Sequence, residues 1–212
     1  MDKIGTLKKY LLTCALGFGL GGLLWGAVLY SELPDLEYPF HFMAILIMGL
    51  FGGISLTLFS KSVKKISKAV LVGFLGWGVG FVVTAIFQYP LYLYSVYSLI
   101  TPIEPIISAD MPIKEFVNLF PNINIGFFWL FFLIIGAIVG FLYSFFFKLK
   151  KWPLIWRGGV GFALGSLVGP VIGNLTGNLF NSLLISYLLT FSLMGAIFGL
   201  FLSWGVYKHQ KG

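Results

Sequence analysis

The sequence predicts an all-α polytopic membrane protein. Six transmembrane helices form three parallel-oriented αα-hairpin repeats, pack through GxxxG-type faces and leave both termini on one side. Three observations predict it. The chain is 58% hydrophobic and only 10% charged, with a mean hydropathy of +0.96, whereas a soluble domain carries about 25% charge. Apolar runs of the roughly 20 residues needed to cross about 30 Å of hydrocarbon recur along it. Glycine motifs recur with those runs, in an alternating order.

The spans fall at about 10–30, 40–60, 69–89, 127–147, 154–175 and 183–205, within a single transmembrane domain covering 1–212. The first opens after Lys8-Lys9 and carries Gly17-Phe18-Gly19-Leu20-Gly21. Pro34 and Pro39 stop the helices on either side of the first outer loop. Span two carries Gly49 and Gly53 and runs into Lys61, Lys64 and Lys65. Span three carries Gly76-Trp77-Gly78-Val79-Gly80, of the same form as Gly17–Gly21. Span four carries Gly136 and Gly140, span five Gly161-Phe162-Ala163-Leu164-Gly165, and span six Gly195 and Gly199. The first and last glycine of each motif, twelve in all, are the expected helix-packing residues, because bare faces let helix backbones approach closely in a membrane.

Odd spans thus share one motif and even spans another. From Gly17 to Gly49, Gly76 to Gly136 and Gly161 to Gly195 the distances are 32, 60 and 34 residues. From Gly49 to Gly76 and Gly136 to Gly161 they are 27 and 25. The stable spacing implies a threefold repeat of hairpins at about 8–60, 68–148 and 153–207, related by a pseudo-threefold axis along the membrane normal. Only the middle unit is longer, through an outer loop at 90–126. Within it, Ile113, Phe116, Val117 and Phe120 fall on one face, which predicts a short amphipathic helix over 112–120 lying on the membrane or over the bundle mouth.

Charge sets the topology. Of the basic residues, all but Lys114 lie at the N-terminus, the second and fourth connections and the C-terminus. Glu32, Asp35, Glu37, Glu104, Asp110 and Glu115 lie in the other two loops. Short basic loops stay cytoplasmic, so a multi-pass protein of the cell membrane with both termini cytoplasmic is expected. The net charge of +7 is then a topology signal with attraction to lipid headgroups, and no nucleic-acid partner is implied. Cys14, the single cysteine, permits no intramolecular disulfide.

Catalytic, cofactor and metal sites are not expected. His41 and His209 belong to no HExxH, and no GxSxG, Walker A or cysteine–histidine cluster occurs. No carboxylate falls in an apolar span. Arg157, one turn into span five beside Trp152 and Trp156, is read as snorkelling to the inner interface. Uncharged polarity gathers at the outer end of span five. There Gly161, Gly165, Gly169, Gly173 and Gly177 form a bare stripe at every fourth residue. Gly169, Pro170, Gly173, Asn174, Thr176, Asn178 and Asn181, with Gln88 at the same end of span three, are the candidate solute or pore residues. The competing reading is a helix C-cap and turn, since Gly and Asn favour helix ends for purely local reasons.

In size, six spans, inner termini and long outer loop the chain resembles, in outline, the substrate-binding subunit of energy-coupling-factor transporters. The threefold two-helix repeat is also similar to that of mitochondrial carriers, but their proline–acid–basic signature at the odd helix ends is missing. Two classes of function follow. One is a small facilitator, channel or solute-binding membrane subunit. The other is an assembly subunit whose glycine faces dock other membrane subunits or copies of itself.

Overall fold

The computed structural model describes residues 3–32, 39–58, 63–100 and 125–210. Among them are six helices and no strand: α1 (Lys3–Glu32), α2 (Pro39–Thr57), α3 (Val63–Ile100), α4 (Ile125–Phe146), α5 (Lys151–Leu179) and α6 (Leu183–Gln210). Three stretches, Gly5–Ser31 of α1, Lys151–Leu179 of α5 and Leu183–Lys208 of α6, are long and apolar enough to cross a membrane. Leu46–Thr57 of α2 and Leu130–Phe146 of α4 are shorter apolar stretches. Buried hydroxyls fit this setting by bonding within their own helix. Ser55, Ser144, Ser166 and Ser203 each donate to the carbonyl three residues back, so these hydroxyls enter the core already satisfied.

The helices pack chiefly against their neighbours in chain order, and α6 closes onto α1, so the bundle is a ring. Every adjacent pair runs antiparallel, in a register that the glycines make visible. Adding a Cβ to a glycine identifies the atom it shelters. A Cβ on Gly53 of α2 would lie 2.6 Å from the Ala69 carbonyl oxygen of α3, and one on Gly26 of α1 2.6 Å from the Tyr187 oxygen of α6. Gly136 and Gly158, on α4 and α5, shelter each other's carbonyls. Backbone approach of this kind is possible only without side chains, and it lets dispersion and weak Cα–H contacts act over the whole helix length.

Two connections end helices by the same device. Lys148 (φ 54°) and Asn181 (φ 47°) are left-handed. Leu149 N–H donates to the Ser144 carbonyl and Lys148 N–H to that of Phe145. Ser182 N–H likewise donates to Gly177 and Asn181 N–H to Asn178. Both are Schellman motifs, which satisfy the last carbonyls of α4 and α5 and turn the chain at once into the next helix.

Two features of helix length depart from the expected spans. Pro170 leaves α5 unbroken to Leu179, and α3 continues past Pro90 to Ile100, into the stretch expected to begin the outer loop. A proline removes one donor, and in an apolar setting the surrounding turns keep the helix going. At 38 residues, α3 is about 57 Å long, well over the thickness of the hydrocarbon. The rest of the expected loop, including the amphipathic segment 112–120, lies outside the described residues.

Candidate functional site

Three places could carry function: the C-terminal end of α5, the axis of the ring, and the end where the basic residues gather. Along α5, the glycine stripe faces α6 throughout. Gly165 meets Met194, Gly169 meets Thr190, Gly173 meets Ser186 and Thr190, and Gly177 meets Ser182 and Ser186. The small polar stripe Ser182, Ser186, Thr190 on α6 is the counterpart that sequence reading missed. Its own four-residue spacing, opposite a glycine stripe of equal spacing, was the available signal. Asn174 accepts a hydrogen bond from Ser186 Oγ at 2.8 Å across that seam. Thr176 Oγ1 donates to the Ile172 carbonyl of its own helix.

Asn178 and Asn181 are exposed and shape the turn, the first through its carbonyl and the second through its left-handed backbone. Pro170 is half-buried. The structure therefore brings Gly169, Gly173, Asn174 and Thr176 onto the α5–α6 seam and its flank, and places Asn178 and Asn181 at the helix end. Gln88 lies in α3, and its side chain is outside the described set.

The axis is filled by aromatics. Phe18 of α1, Trp77 of α3 and Phe162 of α5, the second residue of each odd motif, are all fully buried. They gather around Phe198 of α6, whose ring centre lies 5.0 Å from Phe18, 5.3 Å from Trp77 and 5.4 Å from Phe162. Trp77 and Phe162 meet edge to face at 4.7 Å, and Phe132 of α4 adds a further edge-to-face contact to Phe162 at 5.0 Å. Such T-shaped contacts are the favoured aromatic geometry. Together they make one closely packed aromatic cluster where the odd motifs meet. The indole N–H of Trp77 is buried there with no acceptor.

Toward the basic end the axis opens into a crevice lined by Leu56 and Thr57 of α2, Tyr143 and Phe147 of α4, Leu149 of the following turn, and Val206 of α6. Its walls thus come from three helices that are not neighbours in the ring. Tyrosines brace it. Tyr10 of α1 donates to the Leu56 carbonyl at 3.1 Å, and Tyr143 donates to the Ala69 carbonyl of α3 at 3.2 Å. Cations sit on aromatic faces at this end of the bundle: Lys68 at 5.4 Å on Phe147, which lines the crevice, Lys151 on Phe145 at 6.0 Å and Arg157 on Trp204 at 4.7 Å. Among the described residues no group of His, Cys, Asp and Glu could hold a metal ion.

The packing glycines follow one rule. The second glycine of each odd motif meets the residue just before the first glycine of the following even motif: Gly21 meets Met48, Gly80 meets Ile135, and Gly165 meets Met194. The even pairs turn to the next helix round the ring. Gly49 and Gly53 meet Gly73 and Ala69, Gly136 and Gly140 meet Gly158 and Leu154, and Gly195 and Gly199 meet Phe18 and Cys14. The first odd glycines, Gly17, Gly76 and Gly161, meet Ser55, Val139 and Phe201.

Compared with known proteins, the chain matches no family model, no curated protein and no solved structure.

Proposed function

We propose that this chain is a non-enzymatic, transport-type protein of the cell membrane, a small facilitator, channel or solute-binding subunit. In this reading all six helices cross the bilayer as three repeated hairpins, and both termini are cytoplasmic. The observation that carries it is the ring axis: an aromatic constriction of Phe18, Trp77 and Phe162 around Phe198, beside a small apolar crevice walled by α2, α4 and α6. Hydrophobic constrictions gate by excluding water, so in this reading the path is held shut here. The recurring contacts Gly21–Met48, Gly80–Ile135 and Gly165–Met194 support the repeat, and with it a pseudo-threefold axis through the constriction. The cations gathered at the basic end favour small anionic solutes.

The alternative, an assembly subunit docking through glycine faces, gains no support from those faces, because each of the twelve motif glycines meets a helix of the same chain. Flux separates the two. Liposomes bearing the purified protein should pass small inorganic or organic anions faster than empty liposomes, and Trp77→Ala, which widens the constriction, should raise the rate. Absence of flux and of any solute-dependent rise in Tm, in both proteins, would sink the transport reading. Topology is tested apart from it. Single cysteines at Asp35 and Lys64, in a Cys14→Ala background, should label from opposite sides of the membrane, and labelling from one side would overturn the six-span arrangement.

A further inference from the structure

Arg157 is held in place without a counter-charge. Its stem crosses the notch left by Gly205 on α6, where an added Cβ would lie 3.3 Å from Arg157 Cδ. Its guanidinium lies over the Trp204 ring, 4.7 Å from the centre. Nη1 is buried and has no hydrogen-bond acceptor. No carboxylate occurs anywhere in the chain after Glu115, so neither α5 nor α6 can neutralise it. A buried Nη1 without an acceptor is costly even on a partly exposed arginine, and a planar fork with five donors pairs best with a two-oxygen anion.

The surroundings identify the anion. Lys150 is the extended N-cap residue of α5, and Lys208 lies one turn beyond Trp204 on the same face of α6. Both therefore belong to the end of the α5–α6 pair toward which Arg157 lies. Around them Trp152, Trp156 and Trp204 are 76%, 61% and 49% exposed. Large indoles left bare beside cations suit the boundary between headgroups and acyl chains, where aromatic belts form. A free phosphate would satisfy the cations and leave the indoles uncovered. A phospholipid satisfies both.

We propose that Arg157, with Lys150 and Lys208, binds the phosphate of an anionic phospholipid, whose chains lie against Trp152, Trp156 and Trp204. Trp204 and Gly205 act as positioning residues that hold the guanidinium in its fork. The site requires only that α5 and α6 lie in a bilayer, and it stands whether or not the protein conducts a solute.

The test uses the full-length protein in neutral detergent, titrated with phosphatidylglycerol, phosphatidylcholine or inorganic phosphate and read by native mass spectrometry and by the shift in Tm. The wild-type protein should prefer phosphatidylglycerol to phosphatidylcholine by roughly ten-fold, as expected for a charge-assisted pair. Arg157→Gln should abolish the preference, Arg157→Lys should keep part of it, and Lys65→Gln, on α3, should leave it intact. Lys208→Gln, which leaves the Trp204 stack alone, should reduce it on its own and covers the case in which Arg157 variants do not fold. An undiminished preference in Arg157→Gln or in Lys208→Gln would overturn the proposal. Equal occupancy by inorganic phosphate would replace the lipid with a soluble anion and overturn it as well.

Discussion

The outer two helix pairs, α1–α2 and α5–α6, meet at the same motif positions as the middle pair, α3–α4, but with different clearance. A Cβ on Gly21 would lie 2.6 Å from Met48 Cα, and one on Gly165 2.7 Å from the Met194 oxygen. On Gly80 it would find Ile135 Cγ2 at 3.2 Å and Cα at 3.5 Å, and on Gly76 it would stay 3.5 Å from Val139. The same glycines are therefore compulsory in two pairs and nearly optional in the third. The positions three residues after the first even glycine differ too: Gly52, Val139 and Phe198. Phe18 lies against Gly52, where any Cβ would overlap its ring, while Phe198 fills the axis from the opposite side. A shared register thus fixes which residues meet, and side-chain volume decides how closely.

The largest expected effect tests the volume half of that statement. Phe198→Ala should lower stability by about 2–3 kcal/mol in a detergent unfolding assay. That is less than the roughly 3–5 kcal/mol of a soluble core, since lipid is as apolar as the bundle interior and chiefly the packing is lost. Next, Gly165→Ala and Gly21→Ala should each cost about 1–3 kcal/mol through overpacking against backbone that cannot yield. A Tm equal to that of the wild-type protein for either would mean that the seams are looser than described.

Lys148→Gly should stabilise by about 1 kcal/mol, because a left-handed lysine is strained and glycine is not. Asn181→Gly should gain less, since asparagine tolerates that conformation. The smallest effect sharpens the contrast most. Gly76→Ala should be neutral or raise stability by less than about 1 kcal/mol through helix propensity. A loss as large as that of Gly165→Ala would erase the distinction between the pairs.

Much of the architecture was legible in the residues, because the physics behind it is local. Apolar runs gave the six helices their places, and three of those helices carry stretches long and apolar enough to cross a membrane. Pro90 misled, since its missing donor is a local penalty that the turns around it outweigh. Ring closure between α1 and α6 was hidden, because no pattern within either helix says which of its faces will meet a segment that distant. The partners of Gly22 and Gly26, the carbonyls of Phe191 and Tyr187, become visible only in three dimensions. The polar cluster was undecidable from composition, as asparagines serve equally in a pore mouth and a helix end. The left-handed backbone of Asn181 and its two Schellman bonds identify the turn. The aromatic constriction was written as the second residue of each odd motif, Phe18, Trp77 and Phe162, between small residues that drew attention to themselves instead.

Closure of α1 onto α6 also sets a timetable. Synthesis reaches α1 first, yet the stripe of α1 that holds Gly22 and Gly26 has no partner until α6 emerges. Until then α1 and α5 are two open edges awaiting the same element, and the incomplete bundle exposes bare backbone to whatever helix passes. Contacts so distant in sequence form slowly, so the arrival of α6 governs how long the nascent chain stays vulnerable. Two copies stalled at that stage could exchange their α6 helices and close each other's rings, making an intertwined dimer from surfaces that each monomer already owns.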